Sequence, residues 1–152
     1  MLRNSVFQQK EGTCGPASLK IVLHHFGIEI SEKQLIKDCE NSSVGVESDI
    51  LLKIAKKYGL KGKLIKNATF KNIKKFLKKN QAIIVEWFSE DDGHYSIVSR
   101  IDNENIYLID PELGHLRAIR KEKFKRIWFT FPGKFMKTKN DLKLREMIVL
   151  NK

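Results

Sequence analysis

The main change in the hydrophobic period of this chain falls near residue 82, and no other feature limits its fold as strongly. Before that point apolar residues recur at helical spacing. A first helix is expected from Cys14 to about Phe26, with Pro16 in its first turn and Gly27 as its cap. Ala17, Leu19, Ile21, Val22, Leu23 and Phe26 circle almost its whole wheel, which describes a buried central helix. Ser31 caps a short helix from Glu32 to Asp38, and a third runs from about Ser48 to Tyr58, before Gly59. A short strand over Lys63 to Lys66 precedes a fourth helix. On that helix Phe70, Ile73, Phe76 and Leu77 share one arc, and Lys71, Lys74, Lys75, Lys78 and Lys79 share the other.

After the change the pattern is that of strands. Ala82 to Phe88 is a continuous apolar run, expected as a buried strand. His94 to Ile101 and Asn105 to Ile109 form a hairpin around Asp102-Asn103-Glu104-Asn105. His115 to Ile119 and Ile127 to Phe131 are further strands, separated by a short basic helix. Helices followed by an antiparallel sheet make an α+β pattern. The 152 residues suit a single domain, 1–152, without internal repeats. Its core is expected over about 5–131, with a basic C-terminal extension from about 133 to 152. The last apolar run, Met147 to Leu150, reads as a helix end or an edge strand.

Composition excludes several function classes. Apolar residues make up 41% and charged residues 31%, which is globular rather than disordered. No apolar run approaches the roughly 18–20 residues of a membrane span. Met1-Leu2-Arg3-Asn4 leads into no apolar stretch of the secretory kind, so a cytoplasmic location with Cys14 and Cys39 both reduced is expected. The net charge is 29 − 18 = +11, and the eleven lysines between Lys53 and Lys79, with no acid among them, equal that surplus. A lysine run without interleaved arginines and aromatics reads as a solvated helix face, or one facing an anionic partner, rather than a nucleic-acid site.

Cys14 is the residue that points to chemistry. It lies in Gly12-Thr13-Cys14-Gly15-Pro16, where a loop enters a helix. The first N–H groups of a helix are unpaired and carry partial positive charge, which favours a thiolate. Cys39 reads as an ordinary buried cysteine. A nucleophilic cysteine needs a base, and there are four histidines. His24 and His25 lie about 15–16 Å further up the same helix at ~1.5 Å per residue, too far to reach. His25 reads as core-packed and His24 as a surface residue, and His115 as a strand surface position. His94 opens a strand directly after Gly93, and the returning strand ends at Asp110, held extended by Pro111. A base oriented by a third group is the triad arrangement. A tight turn at Asn103-Glu104 would set Asp110 opposite Ile97, about 10 Å short of His94 at ~3.3 Å per residue, so a bulge, a longer loop or strand twist must close the gap. The Cys14 N–H supplies one oxyanion donor, and Gln8 or Gln9 upstream a second through its side-chain amide.

Gln8 six residues before Cys14, the run Cys14-Gly15-Pro16-Ala17-Ser18-Leu19, Gly93-His94-Tyr95, and Ile109-Asp110-Pro111 before Gly114 together resemble the papain-like bacteriocin-processing peptidases. These cleave leader peptides after a double glycine, usually as the cytosolic N-terminal domain of an ABC exporter. The resemblance covers about residues 5–131. It implies a papain-like fold with the cleft between the central helix and the sheet, and no metal or organic cofactor. It makes Cys14 the nucleophile, His94 the general base and then acid, Asp110 the residue orienting His94, and Gln8 the second oxyanion donor. The partners it implies are a peptide or protein substrate, such as an acidic leader peptide, and an ABC exporter that would be a separate protein. Two alternatives stand beside hydrolysis: a non-catalytic peptide-binding module of an export system, and a Cys-His-Asp acyltransferase that passes the acyl group to an amine.

Overall fold

The computed structural model describes residues 13–40, 47–89, 92–111, 114–132 and 135–152. The first half holds helices α1 (Cys14–His25), α2 (Glu32–Asp38), α3 (Ser48–Lys57) and α4 (Phe70–Lys78), with strand β1 (Lys61–Ile65) between the last two. The second half holds β2 (Ala82–Ser89), β3 (Asp92–Ile101), β4 (Asn105–Asp110), β5 (His115–Arg120), helix α5 (Lys121–Ile127), β6 (Phe129–Thr130), β7 (Lys143–Leu144) and β8 (Met147–Asn151). The expected α+β arrangement is present, and the helix boundaries follow their caps. Gly27 and Gly59 take positive φ of 81° and 98° just past α1 and α3. There Ile28 N–H reaches Leu23 C=O and Leu60 N–H reaches Ala55 C=O, closing each helix by the Schellman motif that glycine permits.

Strands β1-β8-β2-β3-β4-β5 form one sheet in that order, and every pair is antiparallel. Alternate residues of each strand enter two cores. Ile84, Tyr95, Ile97, Ile109, Ile148 and Leu150 pack with Leu19, Ile21 and Leu23 of α1 and Leu51 of α3. Ile83, Val85, Trp87, Val98, Leu108 and Val149 pack with Ile73 and Phe76 of α4 and Phe124 of α5. Helices cover both faces, so a central strand must be apolar at every position. That is why Ala82 to Val85 reads as an unbroken apolar run rather than an alternating one.

Three expectations are corrected. Met147 to Leu150 is neither a helix end nor an edge strand: β8 lies between β1 and β2, with all four side chains buried. Ile127 and Trp128 are not strand residues. Helix α5 runs through Ile127, because Phe124 and Trp128 fall one turn apart and both enter the core. His25 is exposed, its ring edge-on to Phe26 at 4.9 Å. Among the described residues no helix is long and apolar enough to cross a membrane.

Candidate active site

Cys14 is the first residue of α1, with a relative exposure of 9%. Thr13 occupies the cap position but gives no side-chain cap, and no acid lies in the first turn. The positive end of the helix is therefore not answered by a carboxylate of its own first turn. Helix α1 packs on β3, and this brings Cys14 to the beginning of that strand, where His94 lies two residues in. His94 hydrogen-bonds to Cys14 on one side and to Asp110 on the other. The Nε2 to Oδ1 distance is 2.6 Å, and both partners are buried. With Nε2 taken by the carboxylate, Nδ1 is the ring nitrogen left for sulfur.

A β-bulge brings Asp110 within reach. From Ile101↔Ile106 to Arg100↔Tyr107, β3 and β4 pair in the register expected of a tight turn. Ser99 is then unpaired, and the ladder resumes as Val98↔Leu108 and Ile97↔Ile109. Continued one step, this sets Asp110 across from Ser96 rather than Ile97. Side chains alternate faces with a period of two, so a one-residue slip changes which face Asp110 shares. Without the bulge Asp110 and His94 would lie on opposite faces of the sheet; with it they are diagonal neighbours on one face.

Burial alone would push the His94 imidazole down. The Asp110 and Cys14 hydrogen bonds, with the charges of both groups, outweigh it and hold the ring up at about 10. Protonated His94 is the state this environment favours. Cys39 is the contrast: it is 3% exposed, and burial with the nearby Asp38 charge pushes its thiol up to about 11.

Gln8 and Gln9 lie outside the described residues. His24 is exposed and paired with Glu29, and His115 is exposed on β5, so neither joins the site. Two residues that the sequence did not single out do join it. Arg117 Nη1 lies 3.2 Å from Asp110 Oδ2, and Trp87 stands edge-on to His94 at 5.7 Å. Both follow from register: Trp87 is opposite His94, and Arg117 is two residues beyond the partner of Asp110. The alternation His115, Arg117, Ile119 was the available signal, but only the pairing of β4 with β5 gives it meaning. A second buried cluster lies beside Gly93, where Ser48 Oγ sits 3.1 Å from the Tyr95 hydroxyl and 3.4 Å from Glu86 Oε1. Burial, as the largest influence, pushes both the Glu86 carboxyl and the Tyr95 phenol up.

Chemically, this assembles a thiol at a helix N-terminus, a protonatable imidazole in contact with it, and a buried carboxylate behind the imidazole. Residues 3–136 match the model of the Peptidase C39 family. The fold is similar to the peptidase domain of Streptococcus ComA, a bi-functional ABC transporter involved in quorum sensing, with TM-score 0.73, 22% identity, and 97% and 96% of the two chains covered. It is also similar to a double glycine motif protease from an AMS/PCAT transporter, solved in complex with the leader peptide, with TM-score 0.72, 24% identity, and 99% and 94% covered. In sequence, an uncharacterised protein of Methanothermobacter thermautotrophicus is 29% identical over 123 residues, 81% of each chain.

Proposed function

Because the chain belongs to the peptidase C39 family, we propose that it is a cysteine peptidase in which Cys14 attacks the substrate carbonyl, His94 carries the proton, and Asp110 holds His94 in place. The observation that carries this reading is the buried Nε2 to Oδ1 bond of 2.6 Å, on the imidazole that also hydrogen-bonds to Cys14. Family membership and the likeness to peptidase domains support a peptidase, and the local chemistry supports the residue roles. Sulfur, as the thiolate of an ion pair with the His94 imidazolium, adds to the scissile carbonyl carbon. The oxyanion so formed is met by the Cys14 backbone N–H, with the side-chain amide of Gln8 as the second donor. Collapse breaks the C–N bond as His94 protonates the departing amine, leaving a thioester on Cys14. His94 then takes a proton from water, whose attack releases the acid and restores the thiolate–imidazolium pair.

The substrate proposed is a peptide with a double-glycine leader, and the partner a separate ABC exporter. The support is the similarity to a protease solved with its leader peptide. Synthetic leader peptides carrying Gly-Gly, incubated with the protein and read by mass spectrometry, are expected to be cut after the second glycine. The Cys14→Ala variant is expected to bind them uncut. Binding without cleavage by the wild type contradicts the reading in favour of a peptide-holding module, and incorporation of an added amine contradicts it in favour of acyl transfer.

A further inference from the structure

The Asp110 carboxylate meets two cations, and the reading above uses only one. Its Oδ1 faces His94, while its Oδ2 lies 3.2 Å from Arg117 Nη1. The Arg117 guanidinium lies over the Trp87 indole, 5.1 Å from the ring centroid. Trp87 in turn stands edge-on to His94, and its indole N–H donates to Ser96 Oγ at 3.1 Å. Four side chains from four adjacent strands thus close a ring: Trp87 of β2, His94 of β3, Asp110 of β4 and Arg117 of β5. Asp110 is 0% exposed, so bulk water cannot answer its charge. Arg117 keeps about a third of its side chain exposed and reaches inward from the rim.

We propose that Arg117 is a positioning residue of this site: it takes one oxygen and part of the charge of Asp110, so that the carboxylate orients His94 without holding its proton too tightly to be passed to a leaving amine. The inference rests on the peptidase reading of Cys14, His94 and Asp110. Charge alternates along three of the contacting groups: imidazolium, carboxylate, guanidinium. Among the described residues, the titratable groups around His94 include Cys14 from α1, Asp110 from β4, and Arg117 and the exposed His115 from β5. Glu86 of β2 and Tyr95 of β3 alternate onto the other face. Removal of the guanidinium leaves His94 as the remaining charged partner in this ring for a carboxylate that cannot reach water. The imidazolium is then held more tightly, and it becomes a poorer acid.

The test follows the imidazole resonances of His94 by NMR through an alkaline titration, assigned with the His94→Ala variant. In Arg117→Gln the midpoint is expected to rise above the wild-type value by on the order of one unit. In Arg117→Lys, which keeps a cation, it is expected to stay within about 0.3 units, by the same Coulomb argument. Cys14 alkylation at pH 6 is expected to survive in both, while turnover of a cleaved peptide falls about tenfold in Arg117→Gln with its KM little changed. An unchanged or lowered midpoint in Arg117→Gln overturns the proposal. Arg117→Met, which keeps apolar contact with Trp87, gives the same test should the glutamine variant not fold. A wild-type His94 that titrates near its ordinary ~6.5, with Cys14 alkylation unaffected by His94→Ala, overturns the peptidase reading as well. Normal activation of Cys14 with no response to Arg117 overturns this inference alone.

Discussion

At the scale of single residues, the site depends on which groups share a buried carboxylate. Asp110 binds His94 through one oxygen and Arg117 through the other, and neither bond can be exchanged for water. Asp110→Asn keeps the shape and removes the charge. It is expected to bring His94 down toward its ordinary range, slow Cys14 alkylation at pH 6, and cut peptide hydrolysis by about 10²-fold or more while the protein stays folded. Unaltered hydrolysis would show that Asp110 is only a turn residue before Pro111. Cys14, His94 and Asp110 were legible in the sequence because each sits beside a Gly or Pro that marks an element boundary. Arg117 and Trp87 were not, because an arginine or a tryptophan within a strand carries no local signal. Their place in the site is a fact about pairing between strands.

At the scale of elements, most helices and strands were legible, and the misses share a cause. The helices from Glu32 to Asp38 and from Phe70 carry their own caps: Ser31 Oγ accepts from Gln34 N–H, and Thr69 with Asn72 forms a reciprocal capping box. Met147 to Leu150 has no such local mark. Only long-range pairing sets it between β1 and β2, and four apolar letters cannot report that. The Ser99 bulge is equally silent, yet it turns Asp110 to the face of His94. The β1–β8 seam gives a stability test. A Cβ built on Gly62 falls 2.4 Å from the Val149 carbonyl oxygen and 2.7 Å from Leu150 Cδ2. Backbone cannot step aside cheaply, so Gly62→Ala is expected to destabilise the fold by about 2–3 kcal/mol in urea unfolding; a neutral effect would argue against β8 lying on β1. Helix α4 gives a functional one. Ile73 and Phe76 are buried, and Lys71, Lys75 and Lys78 are exposed. If this face steers an acidic leader, changing the three lysines to glutamate raises KM by about tenfold at low salt and leaves kcat nearly alone. An unchanged KM at low salt would make the face a solvated surface only.

At the scale of the whole molecule, buried titratable groups favour mildly acidic over alkaline conditions. His94 is held up at about 10, so its pairing stabilises the fold fully below its unfolded value near ~6.5 and is lost as pH rises through the folded value. Glu86 and Glu146 are raised by burial, and Cys39 is raised to about 11, so each resists losing its proton in the folded state. All of these act in one direction. The melting temperature is expected to be higher at pH 6 than at pH 10.5, and the difference should shrink in His94→Ala. A flat profile across that range would contradict the pairing. The central claim, that Cys14, His94 and Asp110 work as one unit, is tested most directly by alkylation of Cys14 at pH 6, read by mass spectrometry with Cys39 in the same chain as control. The account predicts rapid labelling of Cys14, none of Cys39, and loss of the Cys14 advantage in His94→Ala. Equal, slow labelling of both cysteines, indifferent to His94, would contradict it.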